Sequence, residues 1–283
     1  MKKILVIGVL LGLGVVCFAE DKMHNFQVAY EMSNYKYSEP KVMNLKAMPK
    51  YGFSLQYMRR SVLSREWLEE DPSFAILDFR YMIGDVDYKG ALLDGTPLSV
   101  SNLKDYYIEL GLRLGKEYDL GLAWRIAPYF GLGYRRLTNH LEEAGTIGYL
   151  RESRYVYMPF GMNLRYTTEY GTNVMLNTEI DWLLRGSQYS GVMHDALIIG
   201  SDTYDLAGNR NKQDQGYGLR TSLKLEKSWE KIGLFVEPFI RYWHIQNSNI
   251  EAKEIVGTGL ALDGFYEPKN WTYEYGLKAG ITF

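Results

Sequence analysis

Apolar and polar residues alternate, one for one, in ten separate stretches of the chain. Phe26, Val28, Tyr30 and Met32 share one phase, with Gln27, Ala29 and Glu31 in the other. Tyr51, Phe53, Leu55 and Tyr57 form a second set, and Ala75, Leu77, Phe79 and Tyr81 a third. Ile108 to Leu114, Trp124 to Tyr134, Val156 to Tyr166, Val174 to Leu184, Tyr217 to Leu225 and Leu234 to Tyr242 continue the series. The tenth runs from Trp271 through Tyr273, Tyr275, Leu277, Ala279 and Ile281 to Phe283. A period of two belongs to a β-strand whose faces meet different surroundings. Three prolines disturb the pattern: Pro128 and Pro238 in the apolar phase and Pro159 in the polar one. Proline has no ladder donor, which predicts bulges or local loss of pairing at these points.

The charged residues decide what the two faces touch. Arg80, Glu109, Arg113, Arg135, Arg165, Glu179, Asp181, Arg185, Arg220, Lys224, Glu226, Glu237, Arg241, Glu274 and Lys278 all stand in the phase opposite the apolar set. A Lys or Arg against hydrocarbon near the midplane costs about 2–4 kcal/mol. Turned into a closed interior, acids and bases can neutralise one another. The prediction is an all-β protein, a transmembrane antiparallel up-and-down β-barrel of ten strands, with strand boundaries that also admit eight or twelve. An even count returns both ends to the periplasmic side. The connections sort accordingly. Lys116 to Asp119, Thr167 to Gly171 and Lys227 to Lys231 are short periplasmic turns, and Ser61 to Pro72 is a longer one. Asn34 to Lys50, Gly84 to Lys104, Leu137 to Glu152, Ser187 to Gln213 and Gln246 to Lys269 are long outer loops.

Composition alone conceals this. The mean hydropathy of -0.25 is that of a soluble protein, because only every second residue of a barrel strand faces lipid. The 24 tyrosines fit interfacial girdles. Met1 to Ala19 carries Lys2 and Lys3, an apolar run and a small residue before Glu20, and is expected to be a secretory signal, leaving a barrel domain over residues 20–283. Val16 speaks against lipidation of Cys17. Removal of the signal takes away the single cysteine and shifts the net charge from -2 to -4. Lys and Arg are scattered without a basic stripe, so nucleic acid is not an expected partner.

The closing strand resembles that of bacterial outer-membrane barrels. The resemblance implies that Tyr273, Tyr275 and above all the terminal Phe283 form the signal read by the barrel assembly machinery, and that outer-membrane lipid and lipopolysaccharide surround the protein. In outline, and in Tyr157-Met158-Pro159-Phe160, Tyr189-Ser190-Gly191 and Gly276 to Phe283, the chain also resembles the omptins, ten-stranded outer-membrane proteases. That resemblance implies an Asp pair and an Asp–His pair in two outer loops, met here by Asp85 with Asp87 and by His194 with Asp195. Carboxylates can position water, and an oriented His can act as general base. The spacing departs from the family, since His194 directly precedes Asp195.

Other chemistry is sparse. Gly131-Leu132-Gly133 lies within a strand and is no nucleotide fingerprint. His24, His140, His194 and His244 lack metal-ligand spacing, so neither metal nor cofactor is expected. Ten strands enclose little space, and the inward charges are expected to fill the lumen as an ion-pair network, with a narrow porin-like path as the alternative. Ala196 to Ile199 is an apolar run within a polar loop, either a hairpin over the barrel mouth or a contact site for an extracellular ligand. The sequence thus predicts a non-enzymatic barrel of the cell outer membrane with a structural or binding role, with an omptin-like protease as the alternative.

Overall fold

The computed structural model describes residues 24–40, 42–60, 73–91, 95–145, 148–230 and 232–283. The proposed signal segment and the Ser61 to Pro72 connection lie outside the described residues. The strands are β1 (His24–Glu39), β2 (Met43–Arg60), β3 (Ser73–Ala91), β4 (Pro97–Lys116), β5 (Tyr118–Gly121), β6 (Trp124–His140), β7 (Leu150–Thr167), β8 (Thr172–Ser190), β9 (Met193–Ile199), β10 (Asp202–Leu206), β11 (Asn209–Lys212), β12 (Gly216–Ser228), β13 (Gly233–Ile245), β14 (Glu251–Ile255), β15 (Leu260–Phe265) and β16 (Asn270–Thr282). Ten of them, β1, β2, β3, β4, β6, β7, β8, β12, β13 and β16, pair in chain order, and β16 returns to β1. Each of the ten alternating stretches forms one wall strand. The seam closes fully: the Phe283 N–H donates to Phe26 O at 2.8 Å, and the Phe26 N–H donates back to Phe283 O at 3.2 Å.

The outer wall is apolar and exposed, as Leu112, Phe130, Ile180, Leu219, Ile240 and Leu277 illustrate. Aromatic residues border it at both ends. On the outer side Trp271, His244, Tyr217, Tyr242 and Tyr273 run ring against ring, with centroids 4.8–6.0 Å apart. On the periplasmic side Trp124 meets Tyr166 at 4.9 Å and His24 meets Tyr57 at 5.9 Å. An apolar band between two girdles is the mark of a lipid-embedded barrel.

The predicted outer loops are largely strand. β1 continues to Glu39 and β2 resumes at Met43; β3 reaches Ala91 and β4 starts at Pro97. Alternation persists in these extensions, but with its sense reversed. Tyr35, Tyr37, Leu45, Ala47, Val86, Leu103 and Leu137 point inward into one buried cluster, while Lys36, Asp85 and Asp87 lie on the other face. Above the bilayer the wall faces water, so the apolar side turns in.

Two further details differ from expectation. The turn placed at Lys116 to Asp119 lies at Leu122 and Ala123, whose φ values of 50° and 66° and flanking Gly121–Trp124 pair make a tight two-residue hairpin. In β8 a bulge separates the pair Tyr157–Leu183 from the pair Val156–Arg185. Leu183 keeps the inward phase of Glu179 and Asp181 and is buried, whereas the extra residue reverses the facing beyond it, so Arg185, predicted to point inward, stands exposed on the outer wall. Loss of pairing occurs at the prolines. The β6–β7 ladder lapses between Phe130–Phe160 and Gly133–Tyr157, beside Pro159, and the β12–β13 ladder between Ser222–Phe239 and Leu225–Val236, beside Pro238. The β4–β6 ladder ends at Tyr129, next to Pro128.

Candidate functional site

Inside the wall, side chains from opposite strands meet across the barrel. Arg80 of β3 donates to Glu31 of β1 and to Glu274 of β16, each at 2.6 Å. Glu274 also accepts from Ser33 at 2.7 Å and from the Tyr107 hydroxyl at 2.5 Å. Arg220 of β12 reaches Asp181 at 2.5 Å, Glu179 at 3.3 Å, Glu109 at 3.2 Å and the Tyr157 hydroxyl at 2.9 Å. Arg135 approaches Glu109 at 3.5 Å. Towards the periplasm Arg113 joins Glu179 and Asp78, both at 2.7 Å. Arg241 and Lys278 lie 3.7 and 3.8 Å from Glu31, and Lys278 also meets Glu237 at 3.5 Å. Arg165 pairs with Glu117 at the periplasmic end. Glu31, Asp78, Tyr107, Tyr129 and Tyr157 take part in the contacts around Arg80, Arg113 and Arg220, while the Arg165–Glu117 pair stands apart from them. Inward Gly133 and Gly161 make room for these contacts: a Cβ there would lie 2.2 Å from the Tyr157 ring and 2.3 Å from the Tyr129 ring.

Above this layer lies the buried apolar cluster around Tyr35 and Met82, into which the buried Lys50–Asp105 pair is set, with Lys50 Nζ 4.0 Å from the Tyr35 ring centre. At the mouth Arg151 of β7 spans to Glu39 of β1 at 2.5 Å and to Glu267 at 2.8 Å. β7 and β1 stand on opposite sides of the ten-strand wall, so this pair spans the opening.

The outer wall carries its own cluster just above the apolar band. Arg136 and Arg154 face one another across β6 and β7, an arrangement of like charges that repels. Glu152 lies between them, paired with Arg136, with Arg154 at 2.5 Å and with Arg210 at 3.6 Å. Arg185 and Lys212 are exposed on the neighbouring strands, leaving the patch strongly positive.

Beyond the rim, β15, β14, β10 and β9 form a separate sheet. His194 Nδ1 lies 2.8 Å from Asp205 and not against Asp195, whose backbone N–H donates to the other Asp205 oxygen at 2.9 Å. These contacts hold the Asp205 carboxyl below its ordinary range, the Asp195 N–H first and His194 second. Asp195 itself adopts φ 52°. Asp85 and Asp87 are exposed on the outer wall of β3. The structure thus places the Asp pair on the barrel exterior and the His on the separate sheet. Among the described residues, no group of His, Cys, Asp and Glu has the arrangement of a metal site.

No protein-family model matches the sequence, and no curated protein sequence matches it. Solved structures do match in shape. The outer-membrane protease OmpT from Escherichia coli aligns with a TM-score of 0.57 at 12% identity, over 92% of this chain and 96% of that one. The fold is that of a bacterial outer-membrane β-barrel. The translocator domain of the autotransporter NalP from Neisseria meningitidis is also similar, with a TM-score of 0.43 and 11% identity over 92% of this chain and 88% of that one. With its apolar band and paired girdles, this outer-membrane barrel has lipid as its solvent, and its place is the outer membrane.

The sequence reading missed Lys50, Asp105, Glu39, Arg151 and Glu267. All fall in the inward phase of the extensions or in the connections, where the reversed apolar pattern was the available signal.

Proposed function

We infer that this barrel is a non-enzymatic outer-membrane protein with a filled lumen, whose role is to hold an extracellular sheet at the cell surface. The continuous buried network from Arg80 to Arg220, capped by the Arg151 latch, carries this reading. An ion or solute moving through the lumen would have to break several buried pairs, each costing several kcal/mol to separate. The Arg136, Arg154 and Arg210 patch around Glu152 supports contact with the phosphates of lipopolysaccharide, since guanidinium groups bind phosphate in a fixed geometry. The test is electrical recording in planar bilayers. The refolded barrel leaves the baseline unchanged at moderate voltage, and reproducible conductance steps would instead support the porin-like alternative.

One observation favours the protease alternative, the hydrogen bond that orients His194 through Asp205. Its weakness is the outward placement of Asp85 and Asp87. Cleavage of a dibasic peptide in lipopolysaccharide, lost in Asp87→Ala and His194→Ala, would establish it. Equal background rates in all three proteins would end it.

A further inference from the structure

The four-stranded sheet beyond the rim joins two parts of the chain, Met193 to Leu206 and Glu251 to Phe265. β10 and β14 pair at Leu206–Ile255, and the Val256 N–H donates to Asp205 O at 3.0 Å. This pairing sets the β14–β15 hairpin tip beside β10 at Asp205, with the β9–β10 hairpin tip extending beyond it. Their aliphatic residues are left in water: Ile198 is 71% exposed, Leu260 64%, Ile199 53% and Val256 47%. Among the described residues β9 and β15 each have one strand neighbour and so present a free edge. An exposed apolar edge strand is a template for another strand unless a charge, a proline or a cover blocks it.

The charge around this edge has one sign. Asp195, Asp202, Asp205, Glu251, Glu254 and Asp263 belong to the sheet and its hairpins, against His194 and a single Lys253 that is buried beneath them. Two such sheets repel each other, which disfavours a second copy as occupant, and an anionic membrane surface is repelled in the same way. We propose that this sheet is a docking surface for an extended, basic segment of another protein, which adds as a strand to the β9 edge, lays its apolar side chains on Ile198 and its neighbours, and sets its Lys or Arg residues against the surrounding carboxylates. Backbone pairing supplies the affinity and the charges select the partner. This reading stands on the sheet alone and does not depend on closure of the lumen.

Binding is measured on the full refolded barrel in neutral phosphatidylcholine nanodiscs, which offer a cationic peptide no lipid charge. The probes are an alternating lysine–valine octapeptide, its glutamate–valine counterpart, and the lysine peptide with alternate amides N-methylated, which keeps the charge but blocks strand addition. The lysine peptide binds. N-methylation, the triple variant Asp202→Asn/Glu254→Gln/Asp263→Asn, and Ile198→Lys each weaken it tenfold or more, and the glutamate peptide does not bind. All three substituted acids and Ile198 are exposed, so the barrel folds, as an unchanged heat-modifiability gel verifies. Failure of the lysine peptide to bind, equal affinity of the N-methylated or glutamate peptide, or unweakened binding by either variant overturns the proposal.

Discussion

At the scale of single residues the barrel depends on buried charges whose partners come from distant strands. Arg80 answers two carboxylates, Glu31 and Glu274, both almost without exposure. Removing one member of such a set leaves the others uncompensated, which costs about 3–5 kcal/mol. Arg80→Leu is therefore expected to lower the unfolding free energy obtained from urea titration of the refolded protein by an amount in that range, whereas Arg185→Leu on the outer wall changes it little. Lys253 is a different case. It is 3% exposed, faces the rings of Tyr149 and Phe265, and donates to Met193 Sδ at 3.8 Å. Burial pushes its amine below the ordinary lysine value, with Glu267 opposing. A lysine lowered in this way opposes folding increasingly as pH falls below its unfolded value. Lys253→Met is expected to stabilise the outer sheet at neutral pH by ~1–4 kcal/mol, read as slower amide exchange in β14.

At the scale of elements, alternation located the wall strands but could not see a bulge, because an inserted residue leaves composition untouched and reverses every side chain after it. Arg185 was misplaced for that reason. The consequence can be measured by thiol labelling from water. A single cysteine at position 185 reacts with a membrane-impermeant maleimide, and one at position 183 stays protected; equal protection at both positions would remove the bulge. The outer strands offer a second measurement. The Asp205 carboxyl is held below its ordinary range by the Asp195 N–H and by His194. Its contribution is complete above the unfolded value and is lost as pH falls through the folded one. Amide protection in β9 and β10 is therefore expected to hold steady from pH 8 to about pH 5 and to decline below about pH 4.

The whole molecule was legible where one rule applied along its length, and less so where the surroundings changed. Between the girdles, apolar residues point out and charges point in, so Glu109, Arg113 and Glu274 could be placed from phase alone. Above the outer girdle water replaces lipid, and the same strands carry Tyr35, Val86 and Leu103 inward. Read without that change of solvent, these residues resemble loops. Long-range partners such as Arg151 with Glu39 were not visible, because register around a closed wall is not written in any local pattern. The two regimes separate experimentally. Leu103→Asp is expected to destabilise the protein in any amphiphile, because it buries a charge in a dry core. Leu112→Asp is expected to cost most in a bilayer, less than the ~2–4 kcal/mol of a basic residue, and little in short-chain detergent.

The reversal of facing along β1 and β3 also sets how deeply the molecule is immersed. Were the barrel to sink by a few ångströms, Lys36, Asp85 and Asp87 would be dragged into hydrocarbon; were it to rise, the aliphatic wall below Tyr273 would emerge into water. Vertical position is thus encoded in the polypeptide itself, as a draught line is painted on a hull, and it determines the height at which the extracellular sheet stands above the cell.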